Sequence, residues 1–307
     1  MPTKTGKLIV SGIPWQEVNL VKITSQYDPG TWTCGAHPHR IVIVVMIWKL
    51  RTKTLPLHSP VWMGIVNITP DSFSDGGRFC DSSSAVDHAL LLINKGAGII
   101  DLGGESTRPG SDSVSAEEEL RRVLPVLRQL RKCQPDIPIS VDTTKAVVAR
   151  EVLATGADII NDVSSLSDPD MLPVLRTTGA GYCLVHTHGV PKTMQDNPQY
   201  RDVVTEVIEF LKNRRKMMID AGILPESIVI DPGLGFGKTS EHNWQLVEHI
   251  ANFHCLCAPI LVGHSRKRFI AERFADCHLG TRQVSRQLIE SGVHILRVHE
   301  VIGLELF

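Results

Sequence analysis

The chain has almost no net charge, no disulfide framework and no apolar run long enough to cross a bilayer. Its 32 Lys and Arg offset 33 Asp and Glu to a net charge of −1. That balance supplies no global field to draw in nucleic acid or an anionic membrane, so locally placed cations must hold any anion and a small-molecule partner is expected. Seven cysteines, an odd number at irregular spacing in 307 residues, do not form a disulfide pattern. The tightest pair, Cys255-Leu-Cys257 beside His254, leaves a metal site conceivable; reduced thiols, buried or half-buried on a helix-to-strand connection, are the plainer expectation. The most apolar stretch, Ile41 to Trp48, falls far short of the roughly 20 residues of a spanning helix. It begins too far into the chain for a signal peptide, and no small-residue cleavage site follows. A reduced cytoplasmic protein that binds neither nucleic acid nor membrane is expected.

Two phosphate-binding signatures are missing as well. No G-x-G-x-x-G follows the first apolar run, which counts against a doubly wound dinucleotide fold. DPGLGFGKTS, residues 231–240, ends like a P-loop, but Pro232 stands where the first glycine is required. Proline has a fixed φ and no N–H to offer a phosphate.

What the chain does have is eight short apolar runs, nearly all ending in a polar residue: MGIVN67, GIIDLGGE105, PISVD142, DIIND162, YCLVHTH188, SIVID231, PILVGHS265 and HILRVHE300. Runs without alternation are the pattern of strands buried on both faces. Between them lie helical segments. Ser115-Ala-Glu-Glu118 reads as a capping box opening a helix with Leu120, Val123, Leu124 and Leu127 on one side and a kink at Pro125. KGAGII, TGADII, TGAGYC and SGVHIL each place a glycine where a helix would end and a strand begin. Eight strands alternating with helices predict a (β/α)8 TIM barrel, with an open doubly wound sheet as the alternative. The barrel is assigned to residues 46–307, with Met46-Ile-Trp-Lys-Leu a natural start leading through a short strand or hairpin to Met63. Residues 1–45, without periodicity, form an N-terminal extension that packs loosely or lies ahead of the true start.

A barrel carries its chemistry at the C-terminal ends of its strands. Asn67, Asp142, Asn161, Asp231, Lys267, Arg297 and His299 fall at or just past such ends. Asp142 and Asp231 each close an apolar strand, where an unpaired carboxylate is costly. Either could form an internal ion pair with Lys267 or Arg297. Alternatively, they accept the parallel hydrogen bonds of a flat heterocycle with adjacent N–H and NH2 donors, beside the donor-acceptor amide of Asn161. Arg297-Val-His299 places two side chains on one strand face as an anion site, and Ser265-Arg-Lys267 forms a second basic group. His186-Thr-His188 has the same spacing and could hold a metal or simply line the pocket. The glycines after Asp231 would let backbone pass close to a ligand. Asn67 to Gly77 and Gly104 to Gly110 read as mobile loops over the mouth.

Together MGIVNITPDSFSDGG, DLGGESTRPG, ISVDT, IND, DPGLGFGK, GHSRK and RVHEV resemble, in order, the motifs of the dihydropteroate synthase family, from about Met63 to Val301. The resemblance implies a (β/α)8 transferase of folate synthesis that joins 4-aminobenzoate to 6-hydroxymethyl-7,8-dihydropterin diphosphate and releases pyrophosphate. It implies that Asp142, Asn161, Asp231 and Lys267 grip the pterin, that Asn67, Arg297 and His299 hold the diphosphate, and that Asn67 is a ligand to Mg2+. Phe73, Thr107, Arg108, Pro109, Ser265, Lys267 and Phe236 would complete the 4-aminobenzoate pocket, with Asp75 ordering the closed state. Asp142, Asp231, Lys267, Arg297 and His299 carry the catalytic expectation. The family further implies a homodimer and a sulfonamide target.

Three features differ from the family. His186-Thr-His188 stands where His-Met-Gln is expected, the eighth helix reads RQVSRQLIESG rather than small and apolar, and the chain ends eight residues past His299, short of one more covering helix. A catalytically silent pterin-binding homologue is therefore an alternative. A methyltetrahydrofolate-dependent methyltransferase is another, although it has no use for a diphosphate site.

Overall fold

The computed structural model describes residues 46–69, 82–106, 111, 113–189 and 193–301. The N-terminal extension, Phe73, Asp75, Thr107, Arg108, Pro109 and the last six residues lie outside the described residues.

A short hairpin, β1 (Ile47–Lys49) and β2 (Thr54–Pro56), precedes the barrel strands β3 (Val61–Asn67), β4 (Ile99–Gly103), β5 (Ile139–Asp142), β6 (Ile159–Asp162), β7 (Gly181–Val185), β8 (Ile228–Asp231), β9 (Leu261–Gly263) and β10 (Ile295–Val298). All eight expected strands are present. They pair in parallel in the order β8-β7-β6-β5-β4-β3-β10-β9, and a parallel bridge between Ile230 and Ile260 joins the two ends into a barrel. Strand-end polar groups thus become neighbours: Asp142 lies opposite both Gly103 and Asn161, and Asp231 opposite Val185.

Helices α1 (Ser82–Asn94), α2 (Ala116–Cys133), α3 (Ala146–Thr155), α4 (Met171–Thr178), α5 (Val203–Asp220), α6 (Ser240–Glu248), α7 (Arg268–Arg273) and α8 (Cys277–Glu290) connect the strands. The repeated glycine device is confirmed: Gly96, Gly156, Gly179 and Gly292 all have positive φ, and each N–H bonds to a carbonyl of the helix it ends. The capping box of α2 is half formed. Ser115 Oγ accepts from Glu118 N–H, but the Glu118 carboxylate turns to Arg121 and Arg122 instead of back to the cap. The helix runs unbroken through Pro125, and its buried face is Glu119, Val123, Val126, Leu127 and Leu130. Leu120 and Leu124 are only partly buried.

The described residues form two hydrophobic cores. One packs the helices on the outer faces of the strands, with Val123, Val152, Val207 and Leu288 facing Leu102, Ile160, Leu184 and Leu296. The other fills the barrel with Met63, Ile99, Ile159, Cys183, Val229, Leu261 and Ile295. Trp48, Leu50 and Leu57 of the hairpin segment belong to this inner core. Trp48 Nε1 donates to Ser227 O at 3.0 Å, at the start of β8, so the hairpin plugs the N-terminal mouth and leaves the C-terminal mouth for the site. No described helix is long and apolar enough to cross a membrane.

Candidate active site

Three buried carboxylates and two cations share the C-terminal mouth. Arg297, next to last in β10, donates Nε to Asp101 Oδ2 at 2.6 Å and Nη2 to Asp142 Oδ2 at 2.7 Å. Asn161 Nδ2 donates to the same Asp101 oxygen at 3.1 Å. Asp101 is fully buried. The ion-pair alternative for Asp142 is therefore realised with Arg297. Burial still dominates, raising the Asp142 carboxyl to about 7, while Arg297 opposes the rise. Burial also works against charge on Arg297, but Asp101 and Asp142 outweigh it and hold the guanidinium above its ordinary value. Asp142 Oδ1 is buried without a hydrogen-bond partner. Such an orphan acceptor is costly unless a ligand donor meets it.

Asp231 completes the opposite side. Gly233 N–H donates to its Oδ1 at 2.7 Å, yet burial raises its pKa, countered by Lys267 and that hydrogen bond. Lys267 bonds to Leu234 O and lies 4.6 Å from the centre of the Phe236 ring. Burial lowers its pKa to about 8, with Asp231 opposing. Asp142, Asn161, Asp231 and Lys267 thus lie together at the mouth, with Phe236 against Lys267. His299 lies just past β10, which ends at Val298. Its Nδ1 meets Ser265 Oγ at 3.2 Å, linking two residues expected in different subsites.

The glycines of the 231–240 loop pack where no side chain would fit. A Cβ on Gly233 would lie 1.8 Å from His186 O, and one on Gly237 2.3 Å from His188 O. Those two let the loop pass against the tail of β7, while Gly235 lies against Lys267, where a Cβ would come 3.2 Å from its Cδ. Lys238 turns inward and donates to Gly233 O at 2.9 Å and Phe236 O at 3.0 Å. A phosphate cradle would instead point its N–H groups at an anion, so the resemblance to a P-loop is explained. Thr239 caps α6.

His186 does not offer a metal site. Its Nδ1 faces Lys238 Nζ at 2.8 Å, burial lowers its pKa to about 2 with Lys238 adding to the effect, and His188 is exposed. Cys255 and Cys257 are exposed rather than buried, and His254 bonds to Ser291 O. Among the described residues no group of three or more His, Cys, Asp or Glu gathers for a metal. Asn67 ends β3 half-buried.

Sequence reading missed Asp101, Lys238 and the support beneath the second loop, where Lys145 pairs with Glu105 and with Glu119 Oε2 at 2.7 Å. Asp101 had a usable signal: a lone carboxylate within the apolar run Ile99-Ile-Asp-Leu102.

Carboxylates, an amide and cations ring the mouth of this (β/α)8 frame, and residues 63–299 match the family described as pterin binding enzyme. Over 252 residues the chain is 46% identical to the dihydropteroate synthase of Escherichia coli (strain K12), covering 81% of this chain and 89% of that protein. The corresponding protein of Neisseria meningitidis serogroup C is 44% identical over 83% of this chain and 93% of its own. The Xanthomonas albilineans dihydropteroate synthase solved with 4-aminobenzoic acid superposes with a TM-score of 0.78 at 41% identity, covering 84% and 94% of the two chains. The structure of that enzyme in complex with 7,8-dihydropteroate gives 0.74 at 38% identity, covering 82% and 93%. The chain belongs to the dihydropteroate synthase family.

Proposed function

We infer that this barrel condenses 6-hydroxymethyl-7,8-dihydropterin diphosphate with 4-aminobenzoate, giving 7,8-dihydropteroate and pyrophosphate. The observation that carries the reading is the orphan Oδ1 of Asp142 beside Asn161, an unmet acceptor where a pterin would present its N–H and NH2 edge. Asp231, held by Gly233, and Lys267 would hold the opposite edge of the ring.

The methylene C–O bond breaks first, and its electron pair leaves with pyrophosphate. Asp142 and Asp231 favour the resulting resonance-stabilised cation electrostatically. Arg297, as a cation, and His299, as a ring N–H donor, would stabilise the leaving group. For Arg297 that role requires the guanidinium to leave Asp142 Oδ2 as the pterin takes that carboxylate, while Asp101 keeps its hold. The arylamine lone pair then forms the C–N bond, and the proton from nitrogen passes to solvent. No strong general base is needed.

The donor set suits Mg2+ only in part: Asn67 offers one amide oxygen, a hard donor, so the ion would be bound mostly through diphosphate oxygens. When bound, it would neutralise charge on the departing pyrophosphate. Phe236 and Ser265 would line the 4-aminobenzoate side with Phe73, Thr107, Arg108 and Pro109, and Asp75 would order the closed state. A homodimer is also proposed, on the family resemblance; sedimentation of a monomer at micromolar concentration would exclude it.

Titration calorimetry with the pterin diphosphate tests the site. Wild type should bind with Mg2+ and at least tenfold more weakly without it, and Asp142→Asn should abolish detectable binding. Equal affinity in wild type and Asp142→Asn would refute the placement of the pterin.

A further inference from the structure

Lys238 has no assigned part in the reaction, yet its side chain is buried, 3% exposed. Its Nζ meets His186 Nδ1 at 2.8 Å, Gly233 O at 2.9 Å, Phe236 O at 3.0 Å and, more weakly, His186 O at 3.4 Å. None of these partners is a carboxylate. Burial pushes its pKa well below the ordinary value, and Asp231 is the charge that opposes this. A buried lysine with only neutral acceptors is an expensive way to stabilise a fold, since removing an ammonium from water costs several kcal/mol.

Its contacts converge on two functional groups. Gly233, whose carbonyl Lys238 holds, donates its N–H to Asp231 Oδ1. Phe236, whose carbonyl Lys238 also holds, places its ring 4.6 Å from Lys267 Nζ, and Lys267 bonds to Leu234 O in the same turn. His186 is the tail of β7, against which Gly233 and Gly237 pack with no room for a Cβ.

We propose that Lys238 is a positioning residue for the pterin site, gathering the 233–236 turn against His186 so that Asp231 and Lys267 are preset to grip the heterocycle. The His186 ring, kept neutral by burial, closes the far side of this contact at 2.8 Å from Nζ. The side chain acts through the backbone and touches no substrate. The proposal rests on the pterin reading of the mouth.

The test compares wild type, Lys238→Met, which keeps length without donors, and Thr239→Ala, which removes the cap of α6 next door. Lys238→Met should raise the KM and the Kd for the pterin diphosphate at least tenfold, and amide hydrogen exchange across residues 231–238 should quicken. Thr239→Ala should lower Tm but leave that KM within twofold of wild type, so loss of stability alone does not mimic the effect. Lys238→Gln, which restores two donors, should fall between. Should Lys238→Met prove unfolded, His186→Leu, which removes one acceptor, carries the test with an expected threefold rise in KM. An unchanged KM in the folded variant, with unchanged exchange over 231–238, overturns the proposal while wild-type turnover leaves the synthase reading standing. Absence of wild-type turnover refutes that reading instead, and exchange over 231–238 still decides what Lys238 does.

Discussion

The carboxylate of Asp101 decides where the guanidinium of Arg297 points, because it takes Nε while Asp142 takes Nη2. Removing one partner of a buried charge network leaves the others uncompensated. Asp101→Asn should therefore lower kcat/KM at least tenfold with the barrel still folded, measured by steady-state turnover and circular dichroism; unchanged kinetics would show that Arg297 needs no anchor. A second residue-scale prediction concerns His264. Ser285 Oγ spends its proton on Thr281 O, so His264 Nε2 donates to Ser285 and Nδ1 is left buried without a partner. Burial lowers its pKa to about 4, below the roughly 6.5 of an unfolded histidine. The unfolded chain then binds the extra proton between those values, so this contribution is complete above pH 6.5 and lost as pH falls towards 4. Wild type should lose roughly 2–3 kcal/mol relative to His264→Gln between pH 7 and 4, read from urea unfolding at each pH. Parallel pH curves would refute it.

Asp142, Asn161 and Asp231 were legible because a polar residue at the end of an apolar strand has a barrel mouth as its natural place, and Lys267 because it follows such a strand by four residues, at the start of α7. Asp101 was not read because it lies within a strand buried along its whole length, where no alternation marks the inward face. Lys238 was read only as a failed P-loop lysine, since a contact to its own loop's carbonyls depends on three positive-φ glycines turning together.

Among the elements, α2 shows how the second loop is supported. Its buried Glu119 meets Lys145, the N-terminal flank of α3, which also reaches Glu105 after β4, and Arg122 donates to Gly104 O at 2.8 Å. The hydrogen bonds of Glu105 and Glu119 offset burial and raise the pKa of Lys145. Lys145→Met leaves Glu119 buried and unpaired, a loss of about 3 kcal/mol, or roughly 5–10 °C in Tm for a domain of this size. Differential scanning calorimetry checks it, and a Tm within 1 °C of wild type, a margin of about 0.5 kcal/mol, would mean the network is dispensable. The four helix-ending glycines were legible individually, because positive φ at a helix end is what glycine alone provides without strain. The half-formed box at Ser115 comes from a competition that is itself local: Arg121 and Arg122, three and four residues along the same helix, take the Glu118 carboxylate, a spacing the capping-box pattern alone does not weigh.

At the scale of the molecule, the eight runs give the barrel and the hairpin closes its base, leaving the carboxylate-lined mouth as the place for chemistry. The central claim is that this mouth joins a pterin diphosphate to 4-aminobenzoate through Asp142, Asp231 and Lys267. The most direct measurement is formation of labelled dihydropteroate from the two substrates, with and without Mg2+, by wild type and by Lys267→Ala. The account predicts Mg2+-dependent product from wild type and at least a hundredfold loss in the variant. Folded wild-type protein that binds the pterin diphosphate and forms no product would contradict it and assign the chain to a silent pterin-binding role.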